Sequence, residues 1–367
     1  MITAPLAYPP TTHRVVRRDV LALALILLVA ALTRMSDFGR VTEYAYDQAT
    51  LSTLALDFAS GKSVPLVGIP SSAGIPNSPM TVYVLAIPYL FTDDPQVVVM
   101  TIAAFNVFGV GLLWFIAHRY FNPTVALVAG LAYALHPHAI HYSRSIWAQD
   151  FHTPILLLAL LFALLGFVEG RRWAQIAALP VFIVGAQIHY AAWTLLPAFG
   201  WIVWRGRHSL NRPALAVGVL LAALTLIPFA IGISRAAAET SATASGVVDQ
   251  LDSLILRNKA ALYAARLATG LGGPWVGMPL IGAYETVLDF PSPVSALWLA
   301  VGAAVALGLI VVWSRWGRFW SVLLWLWSVL PFLVFLPNWT GVYPHYFIPS
   351  LPALSLLVAI AFEWFLS

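Results

Sequence analysis

Apolar runs of near-bilayer length recur along this 367-residue chain and leave little material for a water-soluble core. A helix needs about 20 apolar residues to cross a hydrocarbon layer roughly 30 Å thick. Inside that layer every backbone N–H and C=O must find its partner within the protein. Runs that reach or approach this length cover residues 19–35, 96–118, 123–140, 151–169, 173–188, 191–204, 213–232, 293–313, 319–336 and 347–366. Charged residues make up 9% of the chain, against about 25% in a soluble domain. The expected fold is an all-α polytopic membrane protein, a single integral domain over residues 1–367 with about ten spans.

Arginines order those spans. Arg14, Arg17 and Arg18 precede the first run and place the N-terminus on the cytoplasmic side. The first run resembles a signal peptide, but LTRMSDF follows it with no small-residue cleavage site, so a retained helix is expected. Residues 80–91 form a shorter apolar piece, bracketed and interrupted by Pro79, Pro88 and Pro95. Treating it as interfacial or re-entrant puts Arg119, Arg171, Arg172, Arg205, Arg207, Arg212, Arg315 and Arg318 all inside. Residues 36–95 then make a first extracytoplasmic loop, in which Leu51, Leu54, Ala55 and Phe58 share a helical face. Residues 233–291 make a second, with a surface helix expected over 247–269. The last run ends one residue before the end of the sequence, and no C-terminal soluble domain is expected.

A net charge of +4 follows from arginines at span ends, and no alternation of basic and aromatic residues suits nucleic acid. The chain has no cysteine, which removes thiolate chemistry and Cys-based metal sites. Phosphate-loop, dinucleotide-fold, H-E-x-x-H and G-x-S-x-G patterns are all missing. On the expected outer face lie Arg34, Arg40, Glu43 and Asp47, then His136, His138, His141, Arg144 and Asp150. His189, Tyr190, Arg235, Arg257, Lys259, Arg266, Glu285, Asn338, Tyr343 and His345 complete that layer.

Each of these residues has a plain alternative. Asp47 is either a solvated loop carboxylate or a general base toward a hydroxyl or amine. Arg144 and Asp150 are either a structural ion pair or, for Arg144, a guanidinium fork for phosphate. His189 is a helix cap or a ligand. Arg257, Lys259 and Arg266 face anionic headgroups in general or one substrate phosphate. His136, His138, His141 and His152 suggest a metal site, but the spacing of the first three across Pro137 fits no standard zinc pattern.

Four stretches, in this order, resemble the GT-C superfamily of integral-membrane glycosyltransferases, in its branch of protein O-mannosyltransferases and lipid A aminoarabinose transferases (glycosyltransferase family 39-like). YDQATLSTLALDFASGK is similar to the first-loop motif of that branch, and PNSPMTVYVLAIPYLF to its proline-rich segment. LAYALHPHAIHYSRSIWAQDF is similar to the second outer loop, and PHYFIPSLPALSLLVAIAF to a late helix. Gln48 stands where Glu often follows the Asp, and Asn77-Ser78-Pro79 replaces His-Pro-Pro. The resemblance implies a GT-C-like bundle in the cell membrane, with interfacial helices in its extracytoplasmic loops. It implies inverting sugar transfer from a polyprenyl-phosphate-linked donor to an unknown acceptor at the extracytoplasmic face. Asp47 would be the base and Asp150 a second catalytic carboxylate. Arg144, His189, Arg257, Lys259, Arg266, Tyr343 and His345 would bind substrate. A divalent cation is the one cofactor it leaves open. The rival readings are a non-catalytic subunit of this fold in a larger membrane complex and a lipid or sugar transporter; a transporter predicts charges buried mid-span and repeated helices.

Overall fold

The computed structural model describes residues 15–37, 42–71, 76–239, 263–264, 267–269, 293–337 and 342–367. Among them the regular structure is helical, apart from one isolated bridge between Pro70 and Pro76. The helices are α1 (Arg17–Met35), α2 (Tyr46–Ala59), α3 (Met80–Tyr89), α4 (Pro95–Tyr120), α5 (Pro123–Leu135) and α6 (Pro137–His141). They continue as α7 (Ala148–Ala163), α8 (Arg172–Ile188), α9 (Leu196–Arg205) and α10 (Arg212–Glu239). The last are α11 (Pro293–Ser328), α12 (Leu330–Phe335) and α13 (Leu351–Leu366). Short 3-10 turns, Tyr190–Leu195 and Pro344–Ser350, lead into α9 and α13, and a π turn, Leu164–Val168, ends α7.

Among the described residues, five segments are long and apolar enough to cross a membrane by themselves: Pro95–Tyr120, Ala148–Val168, Arg212–Arg235, Leu299–Phe335 and Pro344–Leu366. α3, with ten residues, reaches only about 15 Å at 1.5 Å per residue, half the hydrocarbon thickness. Helix starts carry the expected signals. Pro95 and Pro123 open α4 and α5, while Asp94 and Asn122 accept from Gln96 N–H and Val125 N–H, each at 2.8 Å.

Several boundaries differ from the apolar runs. The 123–140 run breaks after Leu135, because Pro137 opens the separate helix α6 and His136 is extended. The 191–204 run begins as the 3-10 turn Tyr190–Leu195, capped by the His189 side chain. α10 continues through Glu239, beyond residue 232 and into the expected second loop. The 293–313 and 319–336 runs meet in α11, broken at Gly317, whose φ of 72° is the left-handed region that favours glycine. Of the surface helix expected over 247–269, only 263–264 and 267–269 lie within the described residues, and these are helical.

The main core is built by α1, α4 and α5 against one another, α7 against α4 and α8, and α13 between α5 and α11. A second cluster lies under α2 and α3, where Leu51, Ala55, Leu85 and Tyr89 pack toward Ile146, Phe151 and Ile188. At the other end of α7, Arg119 grips Glu169 through two bonds, of 2.6 and 2.5 Å, and Tyr120 adds a third at 2.7 Å. Burial pushes the Glu169 carboxyl up, but those bonds and the Arg119 charge more than offset it and hold it below its ordinary range. Gln175, fully buried, donates to the Gly166 and Ser209 carbonyls and accepts from Asn211 N–H, tying the π turn to the starts of α8 and α10.

Small residues let helices approach closely, as membrane bundles require. A Cβ on Gly308 of α11 would stand 2.2 Å from the Leu357 carbonyl oxygen of α13, whereas one on Gly200 of α9 would meet nothing within 4 Å. Gly308→Ala should therefore lower stability by about 1–3 kcal/mol, while Gly200→Ala should raise it by up to about 1 kcal/mol. Thermal unfolding of the two variants in one detergent compares them; equal melting temperatures would contradict the α11–α13 contact.

Candidate functional site

One end of the bundle gathers the ends of α1, α5 and α8, the start of α7 and the 3-10 turn before α13. Arg34, in the last turn of α1, is 1% exposed and donates to the Ala134 carbonyl at 2.8 Å and the Tyr133 carbonyl at 3.2 Å. It thereby closes the carbonyl end of α5. Its guanidinium also lies 5.9 Å from the Tyr133 ring centre.

Beyond α6 the chain runs as a segment outside the α-helices, Tyr142 to Trp147, that carries Arg144 and Ser145. Arg144 donates to the Ser36 carbonyl just past α1. Burial lowers its pKa from the ordinary value, while Asp37 opposes the shift. Asp150, in the first turn of α7, is 1% exposed and accepts from Ser145 twice, through its backbone N–H at 2.8 Å and its hydroxyl. A carboxylate on the first turn also suits the positive end of the helix. Asn106 of α4 donates to the Asp150 backbone carbonyl and fixes α7 against α4. Glu43 stands within electrostatic range of Asp150.

Rings line the adjoining space. His345 lies 5.2 Å from Trp147, 5.5 Å from His189, 4.8 Å from Tyr346 and 5.5 Å from Tyr343, the last stacked at 8°. His152, 2% exposed and one half-turn beyond Asp150, lies 5.6 Å from His189. The first loop is stitched to this end through Pro76 to Thr81. The Tyr190 hydroxyl donates to the Pro76 carbonyl at 2.6 Å, Ser78 to Gln187 at 3.1 Å, and Thr81 to the Ile188 carbonyl at 3.1 Å. Burial pushes the Tyr190 phenol up to about 12.

Of the residues singled out in the sequence, Arg144, Asp150, His189, Tyr343 and His345 come together here. Arg144 and Asp150 do not pair, which corrects the ion-pair reading: each has its own backbone-anchored partner. Asp47 is exposed on the first turn of α2, while its neighbour Gln48 is the buried residue and caps that helix by accepting from Ala45 N–H at 3.1 Å. Arg257, Lys259 and Arg266 lie outside the described residues. Ser78, in the segment that replaces His-Pro-Pro, is buried and acts as a stitch. Ser145 and Trp147 were not singled out as site residues, and His152 only as a metal candidate. Ser145 had only its five-residue offset from Asp150 to mark it. No group of three metal-ligating side chains forms among the described residues.

Residues 76–231, from the stitched segment into α10, match the family model described as dolichyl-phosphate-mannose-protein mannosyltransferase. In fold the chain is similar to ArnT from Cupriavidus metallidurans bound to undecaprenyl phosphate, at 18% identity and a TM-score of 0.52, covering 94% of this chain and 60% of that one. It is also similar to the archaeal oligosaccharyltransferase AglB from Archaeoglobus fulgidus in complex with an inhibitory peptide and a dolichol-phosphate. That match has 12% identity and a TM-score of 0.54, covering 94% of this chain and 50% of that one. The chain thus spans about 60% and half the length of these two structures. No curated protein matches it in sequence. The fold is thus a GT-C-like, all-α membrane bundle, of which residues 76–231 match that family model.

Burial lowers the pKa of both His141 and His189 to about 4, with Arg144 adding to the effect at His141. Unfolded, each returns to about 6.5, so between these values the unfolded chain binds more protons than the folded one. Acidification from pH 6.5 toward 4 should therefore destabilise the protein, with no further loss from these groups below that window. His189→Gln should flatten the slope of melting temperature against pH in that range; an unchanged slope would contradict its neutral, buried state.

Proposed function

We propose that the chain transfers a sugar from a polyprenyl-phosphate-linked donor to an acceptor at the extracytoplasmic membrane face. The observation that carries this reading is the convergence of a guanidinium, a buried carboxylate and a wall of aromatic rings at one end of a GT-C bundle. It is supported by the family match over residues 76–231. It is supported too by the lipid phosphates named in the two similar structures, one with undecaprenyl phosphate and one with a dolichol-phosphate.

In this mechanism the donor phosphate meets Arg144 and the loop cations Arg257, Lys259 and Arg266. Its isoprenoid tail lies along the apolar faces of the membrane helices. Tyr343, His345 and His189 contact the sugar. Asp47 takes the proton of the acceptor as its oxygen or nitrogen attacks the anomeric carbon, and the glycosidic bond to phosphate breaks with inversion. The phosphate leaves as an anion and needs no proton, so cationic stabilisation supplies much of the help. Asp150, held by Ser145 and facing Glu43, orders the loop that presents Arg144. Glu43 and Asp47 flank the start of α2, so both belong to the first extracytoplasmic loop.

Asp47→Ala should abolish transfer from labelled polyprenyl-phosphate sugar in reconstituted membranes while leaving the melting temperature within about 0.5 kcal/mol equivalent of wild type, as for an exposed side chain. Arg144→Ala should chiefly raise the donor concentration required. A fully active Asp47→Ala protein would remove Asp47 from the mechanism; wild-type protein inert with every donor would favour a non-catalytic GT-C subunit.

A further inference from the structure

Two stretches far apart in sequence meet at the end of the bundle opposite Arg144 and Asp150. One is the start of α8, with Arg171 and Arg172. The other is the 3-10 turn Arg207–Ser209, followed by Arg212 at the start of α10. Gln175, fully buried, joins them through the Ser209 carbonyl and the Asn211 N–H, both at 2.8 Å. A Cβ on Gly170 would lie 3.7 Å from the Ser209 Cβ, so the two chain segments touch beside Arg171. All four arginines are exposed. Among the described residues, the one carboxylate within 4 Å of them is Glu169, 3.8 Å from Arg171. That carboxylate is already held by Arg119 and Tyr120.

Guanidinium groups gathered on one surface repel one another, and such a patch draws anions from outside the chain. Its position says which anions. The apolar segment Ala148–Val168 ends here and Arg212–Arg235 begins, so the patch lies where hydrocarbon gives way to water. Trp173 and Trp204 flank it, 54% and 51% exposed, and tryptophan rings settle at headgroup depth. The Arg205 and Arg207 guanidinium groups lie 5.9 and 5.3 Å from the Trp204 ring centre, which holds charge and ring at one level. We propose that Arg171, Arg172, Arg207 and Arg212, flanked by Trp173 and Trp204, form a binding surface for the phosphate headgroups of anionic phospholipids. An acidic soluble protein would match the charge but not the depth. A bias of arginines toward one membrane side needs no fixed arrangement among them. Here Gln175 holds together stretches some 36 residues apart, and that link turns scattered charge into a site. The surface lies away from the donor site and stands apart from the donor reading.

The test measures binding of phosphatidylglycerol and of phosphatidylcholine to the full chain in non-ionic detergent, by native mass spectrometry. Wild type should bind phosphatidylglycerol more tightly. The double variant Arg172→Gln/Arg212→Gln should weaken phosphatidylglycerol about tenfold and leave phosphatidylcholine unchanged. Arg17→Gln/Arg18→Gln removes two exposed arginines from the start of α1, at the same end of the bundle, and should change neither. All four positions are exposed, so both double variants should keep the wild-type circular dichroism. Equal losses in the two double variants would reduce the effect to general charge and overturn the site. Equal affinity of wild type for the two lipids would overturn it as well. Soluble polyglutamate bound by a protein that shows no such lipid preference would assign the arginines to an acidic protein partner instead.

Discussion

A helix that ends inside or beside a bilayer leaves backbone carbonyls with little water to turn to, and each open group costs several kcal/mol there. This chain closes such ends with long polar side chains from neighbouring elements. Arg34 closes α5 through the Tyr133 and Ala134 carbonyls, and Gln175 closes the π turn of α7 and the start of α10 at once. With these side chains in place the helices stop where they do. Had α5 run on through His136, the segment carrying Arg144 and Ser145 could not fold back beneath α1. The candidate site therefore depends on a cap before it depends on any of its own residues.

The polar residues of the site are held in the same way, each by backbone groups of another element rather than by one another. Arg144 answers to the end of α1, Asp150 to the turn before α7, and His189 to the 3-10 turn after α8. Carboxylate and guanidinium form no ion pair with each other, and each is fixed through its own anchor.

The fold class was legible because hydropathy and arginine placement act over whole spans, and averaging over about 20 residues tolerates local errors. The amphipathic face of α2 was equally plain: Leu51 and Ala55 are buried as their spacing requires. Finer features were not. One residue turns a helix by about 100°, so a motif that marks Asp47 cannot say that Gln48 faces inward. The boundary at Tyr190 went unseen because apolar composition does not distinguish a 3-10 turn from an α-helical one. Ser145 draws its meaning from its bonds to Asp150, five residues on, and His152 from His189 far along the chain, and neither leaves a mark on composition or periodicity. Charged residues stood out in the sequence; the neutral ones that hold them did not.

The π turn at Leu164–Val168 adds a consequence of its own. By taking in one extra residue it shifts the angular phase of everything after it, as a spacer between two gears shifts the mesh of the second. The first turn of α7 can then present Asp150 toward Ser145 while the far end delivers Glu169 to Arg119 and Tyr120, two alignments that an uninterrupted helix would have to satisfy with a single rotation. The two ends of the helix are thereby mechanically decoupled. Residue choice at the site can drift without disturbing the ionic grip on the opposite side.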